Sequence, residues 1–265
     1  MMLNWIRDNF HPLWHLRRNS TVFRWATQNV RIKIGVRIKN VDHKVYVDLL
    51  RNPHLVSSPN NYERQDLELM IDLISRLKLK RMFDVGANLG VYAFTFSATA
   101  QEGRVVAFEP DPVNARLFEA TNTRCPRHNV LLERKAVAES HGSALFLTDT
   151  MSGATGSLRL EDSSFSERNY GFPQPRTTVE TTTIDDASKR FFPPDFIKID
   201  VEGAELGVLE GARETLSKAR PLMLIEVGSE KLQCVQEFLS KNEYIMRPTT
   251  GSNYLVYHQQ SELCH

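Results

Sequence analysis

The sequence has few cysteines and no long apolar run, and these absences exclude several classes of protein. Its three cysteines, Cys125, Cys234 and Cys264, are widely spaced and form no Cys-x-x-Cys pair, so neither a disulfide framework nor a zinc site is indicated. No stretch of about 18 or more apolar residues could span a bilayer. The beginning of the chain lacks the pattern of a secretory signal. We therefore expect a protein of a reducing compartment, the cytoplasm by default.

The charge is balanced overall but unevenly distributed. The formal net charge is +1, yet residues 1–40 hold eight Lys or Arg against one acid, together with all three tryptophans. Such a segment is typical of peripheral contact with an anionic membrane or an acidic partner. The helical spacing of its aromatic residues equally fits packing on the main domain. Nucleic acid is not expected as a partner, because the rest of the chain is net acidic.

Residues 1–60 are predicted to form a small N-terminal appendage. Pro12 would break one long helix, so two shorter helices are expected in the basic segment. Strand-like residues 36–39 and 44–48 predict a β-hairpin, and a loop follows at 52–61. A helical period of apolar residues over 62–79 then begins the main domain, predicted to extend over 61–265.

From residue 81 onward, predicted strands and helices alternate. Strands are expected at 82–85, 104–109, 130–138, 196–201 and 222–227, and helices at 91–100, 114–124, 204–216 and 230–241. At these spacings the pattern indicates an α/β fold with a doubly wound parallel sheet, closed by an antiparallel pair at 244–247 and 254–258. Between strands predicted at 144–148 and 177–184 lies an irregular segment rich in Ser, Thr, Gly and Pro, which we interpret as a substrate lid.

The first predicted strand runs into a glycine-containing turn and then a helix. Gly86 and Gly90 let a bulky ligand lie against the backbone, and Asn88 fits a position with positive φ. The fingerprint of dinucleotide-binding proteins is Gly-x-Gly-x-x-Gly. Here the pattern is Gly-x-Asn-x-Gly, in which the outer glycines are one residue closer together, and this difference argues against NAD as the ligand. A purely structural turn remains the alternative.

An acidic residue ends the second predicted strand. Glu109 follows Gly90 by 19 residues, and a carboxylate at this place can accept both ribose hydroxyls of an adenosine. Its alternative role is a charge at the entry to a helix. Together with the glycine turn, Glu109 predicts a site for an adenosine derivative.

Four segments in a fixed order carry a family resemblance. They are Asp-Val-Gly-Ala-Asn-Leu-Gly at 84–90, Phe-Glu-Pro at 108–110, Thr-Ile-Asp at 183–185 and Ile-Lys-Ile-Asp-Val-Glu-Gly-Ala-Glu at 197–205, with Leu209, Gly211 and Ala212 following. In these segments the chain resembles the FkbM-type methyltransferases over about residues 80–230. The resemblance implies a class I (Rossmann-like) methyltransferase fold, S-adenosylmethionine as cofactor, and methylation of a hydroxyl of a sugar, glycoside or secondary metabolite.

The resemblance also implies a cofactor site. Gly86, Asn88 and Gly90 would lie against the methionine part of the cofactor, Glu109 would hold the ribose, and Ala136 or Val137 would border the adenine. Three further residues complete this predicted set: Asp84, Pro110 and Asp200.

Three charged residues are candidates for catalysis. An alcohol that attacks a methyl sulfonium needs a base, and Asp200 ends a strand at the sheet edge where ligands bind. The side chain of Lys198 is expected on the same face of that strand as Asp200, because side chains two residues apart point to the same side. Glu226 ends the next strand. A buried lysine with an acid is either a structural ion pair or a catalytic pair with shifted pKa values.

The residues predicted to bind the methyl acceptor leave more alternative roles open. Glu202 and Ser157 are predicted to bind the acceptor, although Glu202 also fits a helix N-terminal charge and Ser157 a flexible loop. Asp200, Glu202 and Glu226 could instead hold magnesium, an alternative that we do not favour. The rival functions are methylation of a lipid-linked acceptor reached through the basic segment, a non-catalytic adenosine-binding module, and a nicotinamide dehydrogenase.

Overall fold

The computed structural model describes residues 19–100, 102–158, 167 and 172–264. The helices predicted within residues 1–18 and most of the predicted lid after residue 158 lie outside the described residues. The N-terminal part comprises α1 (Thr21–Asn29), β1 (Lys33–Arg37), β2 (Lys44–Asp48), α2 (Pro53–Ser57) and α3 (Arg64–Leu77). Among the described helices, none has the length and apolarity needed to cross a bilayer.

The remaining elements alternate much as the sequence predicts. They are β3 (Arg81–Val85), α4 (Val91–Thr99), β4 (Arg104–Phe108), α5 (Pro112–Asn122), β5 (Val130–Glu133), β6 (Ala136–Val137), β7 (Gly142–Leu147), β8 (Arg176–Thr182), α6 (Ile184–Arg190), β9 (Phe196–Ile199), α7 (Glu205–Glu210), α8 (Arg213–Lys218), β10 (Leu222–Glu226), α9 (Leu232–Lys241), β11 (Tyr244–Pro248), β12 (Asn253–His258) and a 3₁₀ turn at Glu262–Cys264.

Seven strands form the central sheet, in the order β11-β12-β10-β9-β3-β4-β5. β5, β4, β3, β9 and β10 are mutually parallel, and β12 is antiparallel to both of its neighbours. The predicted doubly wound sheet with a closing antiparallel pair is therefore confirmed. The chain leaves in opposite directions from β3 and β9, and such a switch point is where open α/β sheets bind their ligands.

The central strands are buried on both faces, which explains their continuous apolar character. Successive side chains of a strand point to opposite faces. Accordingly, Met82 packs into one apolar cluster with Phe94 and Phe96, while its neighbour Phe83 packs into a second cluster with Leu209. Helices therefore pack against both faces of the sheet, and each face has its own apolar cluster.

The N-terminal hairpin packs into the first of these clusters. Val45 and Val47 of β2 are fully buried and share the cluster with Met70 of α3. The backbone N–H of Tyr46 donates a hydrogen bond to Thr121 Oγ1 of α5, at 2.8 Å. The boundary near residue 60 thus separates two sequence segments but not two hydrophobic cores.

The strand predicted over 130–138 is wrong in its second half. β5 ends at Glu133, and Ala136–Val137 form β6, which joins a separate three-stranded sheet in the order β6-β8-β7. The charged residues Arg134 and Lys135 interrupt the apolar run, and they pair with Glu119 and Glu180. The break brings β6 beside the ligand-binding edge of the central sheet.

One strand prediction and one helix prediction also need correction. The strand predicted over 177–184 ends at Thr182, because the Thr183 hydroxyl accepts a hydrogen bond from the Asp186 N–H and caps α6, which the sequence pattern did not predict. The helix predicted over 204–216 is divided into α7 and α8 at Gly211. A Cβ on Gly211 would lie 2.3 Å from the carbonyl oxygen of Ala138.

We predict that Gly211→Ala destabilises the fold by about 1–3 kcal/mol, because the added methyl group must displace the backbone next to β6. The free energy of unfolding from urea denaturation measures the effect. Gly228→Ala is the matched control, since a Cβ at Gly228 meets no atom within 4 Å. Equal stability of the two variants would contradict the packing role of Gly211.

Candidate active site

The turn after β3 brings the ends of two neighbouring strands together. Gly86 and Gly90 have φ angles of 78° and 82°, and Asn88 has the predicted positive φ, at 50°. A Cβ on Gly86 would lie 1.8 Å from the carbonyl oxygen of Asp200. The Asp200 N–H also donates to the carbonyl oxygen of Val85 at 2.9 Å. The turn therefore holds Asp200 against the end of β3, which only glycine at position 86 permits.

Glu109 joins this turn to the end of β4. Its side chain is 4% exposed, and its two carboxylate oxygens accept hydrogen bonds from the backbone N–H groups of Asn88, at 2.7 Å, and Asp111, at 2.8 Å. Burial, and then the charge of Asp111, raise the pKa of Glu109 to about 8. The glycine turn and the acidic residue predicted from sequence thus meet at one place.

A cavity opens at this edge of the sheet, and the empty space among its lining residues, open solvent included, is about 590 Å³. Its walls come from the ends of β3, β4 and β9, from β6 and from the loop after β7. Eight residues of the predicted site line it: Gly86, Asn88, Glu109, Pro110, Ala136, Val137, Asp200 and Glu202. Because these residues come from four separate stretches of sequence, their meeting in one cavity is a property of the fold.

The other five predicted residues are not part of the cavity lining: Asp84, Gly90, Ser157, Lys198 and Glu226. Asp84 is buried behind the turn, where its carboxylate accepts the Ala93 N–H of α4 at 3.0 Å. Burial raises the pKa of Asp84 to about 7. A Cβ on Gly90 would lie 2.5 Å from the rings of Phe94 and Phe118. Asp84 and Gly90 thus support the turn from behind, and their contact with the cofactor stays a prediction.

The first part of the predicted lid covers the cavity as an ordered loop. The Asp149 carboxylate accepts hydrogen bonds from the backbone N–H groups of Met151 and Ser152, at 2.8 and 3.0 Å. Ser157 does not line the cavity, but its hydroxyl donates to the Glu202 carbonyl oxygen at 2.8 Å. Neighbouring lid residues line the cavity: Gly153, Ala154, Gly156 and Leu158.

Arg51, which the sequence pattern did not single out, holds the lid in place. It is 1% exposed and donates to the Asp111 carboxylate at 2.8 Å and to the Asp149 carbonyl oxygen at 2.7 Å. A Cβ on Gly153 would lie 2.7 Å from the guanidinium of Arg51. A single arginine after the hairpin carries no spacing signal, so its contacts with α5 and the lid follow only from the tertiary structure.

Asn114 was also missed, although the helix cap at Asp111 places it in the first turn of α5, beside the end of β4. Its Nδ2 donates to the Gly153 carbonyl oxygen at 2.7 Å. The Oδ1 atoms of Asn114 and Asn88 are buried and find no donor among the described residues. Both residues line the cavity. The site thus offers a ligand two unused acceptors beside Glu109, which fits the hydroxyls and N–H groups of an adenosyl cofactor.

Lys198 is buried next to the cavity and stays charged. Its Nζ lies 3.8 Å from Asp200 Oδ2, 3.4 Å from Asn253 Oδ1 and 5.2 Å from the centre of the Tyr92 ring. Burial lowers the pKa of Lys198, but the charge of Asp200, followed by Glu63, Glu226 and Asp84, outweighs burial and raises it. A lysine held in its charged form positions Asp200 and cannot accept a proton.

Asp200 combines access to the cavity with a raised pKa. Its side chain is 27% exposed. Burial raises the pKa of Asp200 to about 8, since the opposing effect of Lys198 is partly offset by repulsion from Glu226 and Glu63. A carboxyl group that titrates near neutral pH at the wall of a cavity is suited to accept a proton from a hydroxyl.

Glu226 lies beside Asp200 because Ile225 and Ile199 are paired across β10 and β9. Its Oε1 accepts a hydrogen bond from the Ser252 hydroxyl at 2.8 Å. Within the described ranges, no group of three or more His, Cys, Asp or Glu side chains is arranged to hold a metal ion. Asp200, Glu202 and Glu226, the three residues considered for magnesium, therefore do not form such a group.

The family comparison identifies the α/β fold as that of a methyltransferase domain. Residues 84–246, more than half of the chain, match the family described as the methyltransferase FkbM domain. The chain belongs to this family, as its sequence motifs indicated.

Two curated relatives are similar to part of this chain. One is the 2-O-methyltransferase NoeI of Sinorhizobium fredii, 30% identical over 148 residues that cover 52% of this chain and 60% of that protein. The other is the hexuronic acid methyltransferase AglP of Haloferax volcanii, 26% identical over 150 residues that cover 55% of each chain. This chain thus matches less than two thirds of the length of these curated relatives.

Among solved structures, the methyltransferase FkbM of Methylobacillus flagellatus superposes with a TM-score of 0.48 at 20% identity, covering 68% of this chain and 44% of that one.

Glu109 makes a testable contribution to the pH dependence of stability. A carboxyl group whose pKa is higher in the folded state holds its proton longer there, so the free energy of unfolding falls as the pH rises from about 4.5 to about 8. We predict that Glu109→Gln reduces this fall by about 2–4 kcal/mol between pH 5 and pH 8. Part of the fall remains, because burial also raises the pKa values of Asp84 and Asp200.

Urea denaturation of the cofactor-free protein at several pH values measures this difference. Glu237→Gln, an exposed site on α9, is the control and should keep the wild-type slope. A wild-type slope in Glu109→Gln would show that Glu109 is already ionised at low pH.

Proposed function

We propose that this domain transfers the methyl group of S-adenosylmethionine to a hydroxyl of a sugar or glycoside. The observation that carries the proposal is that the Gly86 turn, Glu109 and Asp200 share one cavity at the switch point of the sheet. The names of the two relatives, a 2-O-methyltransferase and a hexuronic acid methyltransferase, support a sugar as the acceptor.

The cofactor would be held by residues that already line the cavity. Glu109 would accept the ribose hydroxyls with the lone pairs that its two backbone hydrogen bonds leave free. Gly86 and Asn88 would border the methionine part, and Ala136 and Val137 the adenine. When bound, S-adenosylmethionine supplies an electrophilic methyl group on its sulfonium.

The chain's own residues would then orient the acceptor and take its proton. Asp200 accepts the proton of the attacking hydroxyl at its carboxylate, and the charged Lys198, 3.8 Å away, keeps that carboxylate in place. The lid around Asp149 limits the access of water. Holding the hydroxyl in line with the methyl group can alone be worth an effective molarity on the order of 10⁵ M.

We predict that Asp200→Asn lowers kcat by about 10²- to 10⁴-fold, because the amide cannot accept the proton. Labelled S-adenosylmethionine and a panel of glycans measure turnover, and calorimetry with S-adenosylhomocysteine measures binding, which should change little. Asp72→Asn, an exposed site on α3, is the control. Retained turnover in Asp200→Asn would remove Asp200 from the mechanism.

The same calorimetry separates the rival functions. Binding of S-adenosylhomocysteine without turnover of any acceptor would favour the non-catalytic adenosine-binding module. Binding of NAD alone would favour the dehydrogenase.

A lipid-linked sugar is the second candidate acceptor. On α1, within the basic segment, Val22 and Trp25 are 74% and 60% exposed, and an exposed aromatic and aliphatic pair in a basic segment suits a membrane surface. We predict that Val22→Ser with Trp25→Ser weakens sedimentation with vesicles rich in phosphatidylglycerol. Leu131→Ser with Leu145→Ser, two exposed apolar residues elsewhere with 44% and 45% exposure, is the control. If both double variants sediment with the vesicles to the same extent, the hypothesis of a lipid-linked acceptor has no support.

A further inference from the structure

The loop at residues 149–154 forms part of the cavity wall, and side chains from other segments hold its backbone. Gly153 of this loop lines the cavity. The Asp149 carboxylate is occupied within the loop, where it accepts hydrogen bonds from the N–H groups of Met151 and Ser152. Loop 149–154 is therefore a compact unit, and the groups that bind its carbonyl oxygens set its position.

Two of these carbonyl oxygens are held by residues that precede the family-matched region, which begins at residue 84. Arg51 donates a hydrogen bond to the Asp149 carbonyl oxygen at 2.7 Å, and Asn52 Nδ2 donates to the Ser152 carbonyl oxygen at 3.1 Å. Both Arg51 and Asn52 are buried. A buried hydrogen bond costs more to break than an exposed one, because water does not replace the lost partner.

A third carbonyl oxygen of the loop is held from within the family-matched region. Asn114 Nδ2 donates to the Gly153 carbonyl oxygen at 2.7 Å. On the N-terminal side, Gln28 Nε2 of α1 donates to the Thr150 hydroxyl at 3.2 Å. The loop is thus fixed by both the N-terminal segment and α5.

Arg51 also connects the loop to the proposed ribose-binding residue. Its two terminal nitrogens donate to the two oxygens of the Asp111 carboxylate, at 2.8 and 3.4 Å. The Asp111 N–H in turn donates to Glu109 Oε1 at 2.8 Å. Arg51 fits closely against the loop, because a Cβ on Gly153 would lie 2.7 Å from its Nε. One buried side chain therefore fixes the loop relative to Glu109, and both Glu109 and Gly153 line the cavity.

We infer that Arg51 is a positioning residue for cofactor binding, which acts by holding loop 149–154 against the cavity. This inference rests on the proposed function, and it adds to the cofactor site a residue outside the family-matched region. A lysine does not replace Arg51, because a single ammonium group lacks the planar fork that reaches the Asp111 carboxylate and the Asp149 carbonyl oxygen together. A loosened loop opposes the departure of a bound cofactor less well, so the main effect falls on the dissociation rate.

Arg51→Lys in the full chain tests the inference. We expect the Kd of S-adenosylhomocysteine, measured by calorimetry, to rise by about tenfold or more. Its dissociation rate, measured by stopped-flow displacement, should rise by a similar factor, while the association rate changes little. A variant that is only less stable would contain less binding-competent protein but would keep the wild-type dissociation rate.

Arg81→Lys is the matched control. Arg81 forms a similar fork with the Asp195 carboxylate, but it begins β3, at the opposite end of that strand from the cavity. Arg81→Lys should therefore keep the wild-type Kd and dissociation rate. A rise in both quantities equal to that of Arg51→Lys would overturn the inference.

Asn52→Asp provides a second test where Arg51→Lys does not fold. It keeps the oxygen that accepts the Asp48 N–H and removes the donor to the Ser152 carbonyl oxygen. The dissociation rate of S-adenosylhomocysteine should rise by about threefold or more. A wild-type rate in Arg51→Lys, or in Asn52→Asp where Arg51→Lys does not fold, overturns the inference and leaves the methyltransferase function intact. A wild-type chain that binds neither S-adenosylmethionine nor S-adenosylhomocysteine counts instead against the proposed function.

Discussion

The site depends on the close approach of the ends of β3 and β9 at Gly86. No side chain fits there, because a Cβ would overlap the carbonyl oxygen of Asp200. This approach places the Asp200 carboxyl beside the turn that borders the proposed cofactor pocket. The same turn presents the Asn88 N–H to Glu109, so one tight backbone contact sets the relative positions of the proposed base and the proposed ribose-binding carboxylate.

Charge burial is the second constraint on this edge of the sheet. Asp84, Glu109 and Asp200 are all carboxyl groups whose pKa values burial raises towards neutral pH or above. Such groups oppose folding at high pH, and they are typical of functional sites, where shifted pKa values are useful. Lys198 compensates part of this cost, since its charge favours ionised Asp84 and Asp200. The lysine is therefore better understood as the counter-ion of the site than as a catalytic base.

The N-terminal segment is joined to the site by side chains as well as by packing. Arg51 links α5 to the lid, and Asn52 Nδ2 donates to the Ser152 carbonyl oxygen at 3.1 Å. The charge of Glu63 also acts on Lys198 and Asp200. Residues that precede the family-matched region thus hold part of the loop that covers the cavity.

Local patterns in the sequence determined the strand and helix order, the left-handed Asn88, and the pairing of a glycine turn with Glu109. These features depend on neighbouring residues and on the period of the apolar side chains, which a sequence displays directly. The break of the predicted strand after Glu133, the division at Gly211, and the contacts of Arg51 and Asn114 with the lid depended on segments that are distant in sequence. Lys198 could be seen as a buried charge from its strand alone, but its net charge state was decided by four carboxyl groups from separate elements, because electrostatic energy depends on distance in space and not along the chain.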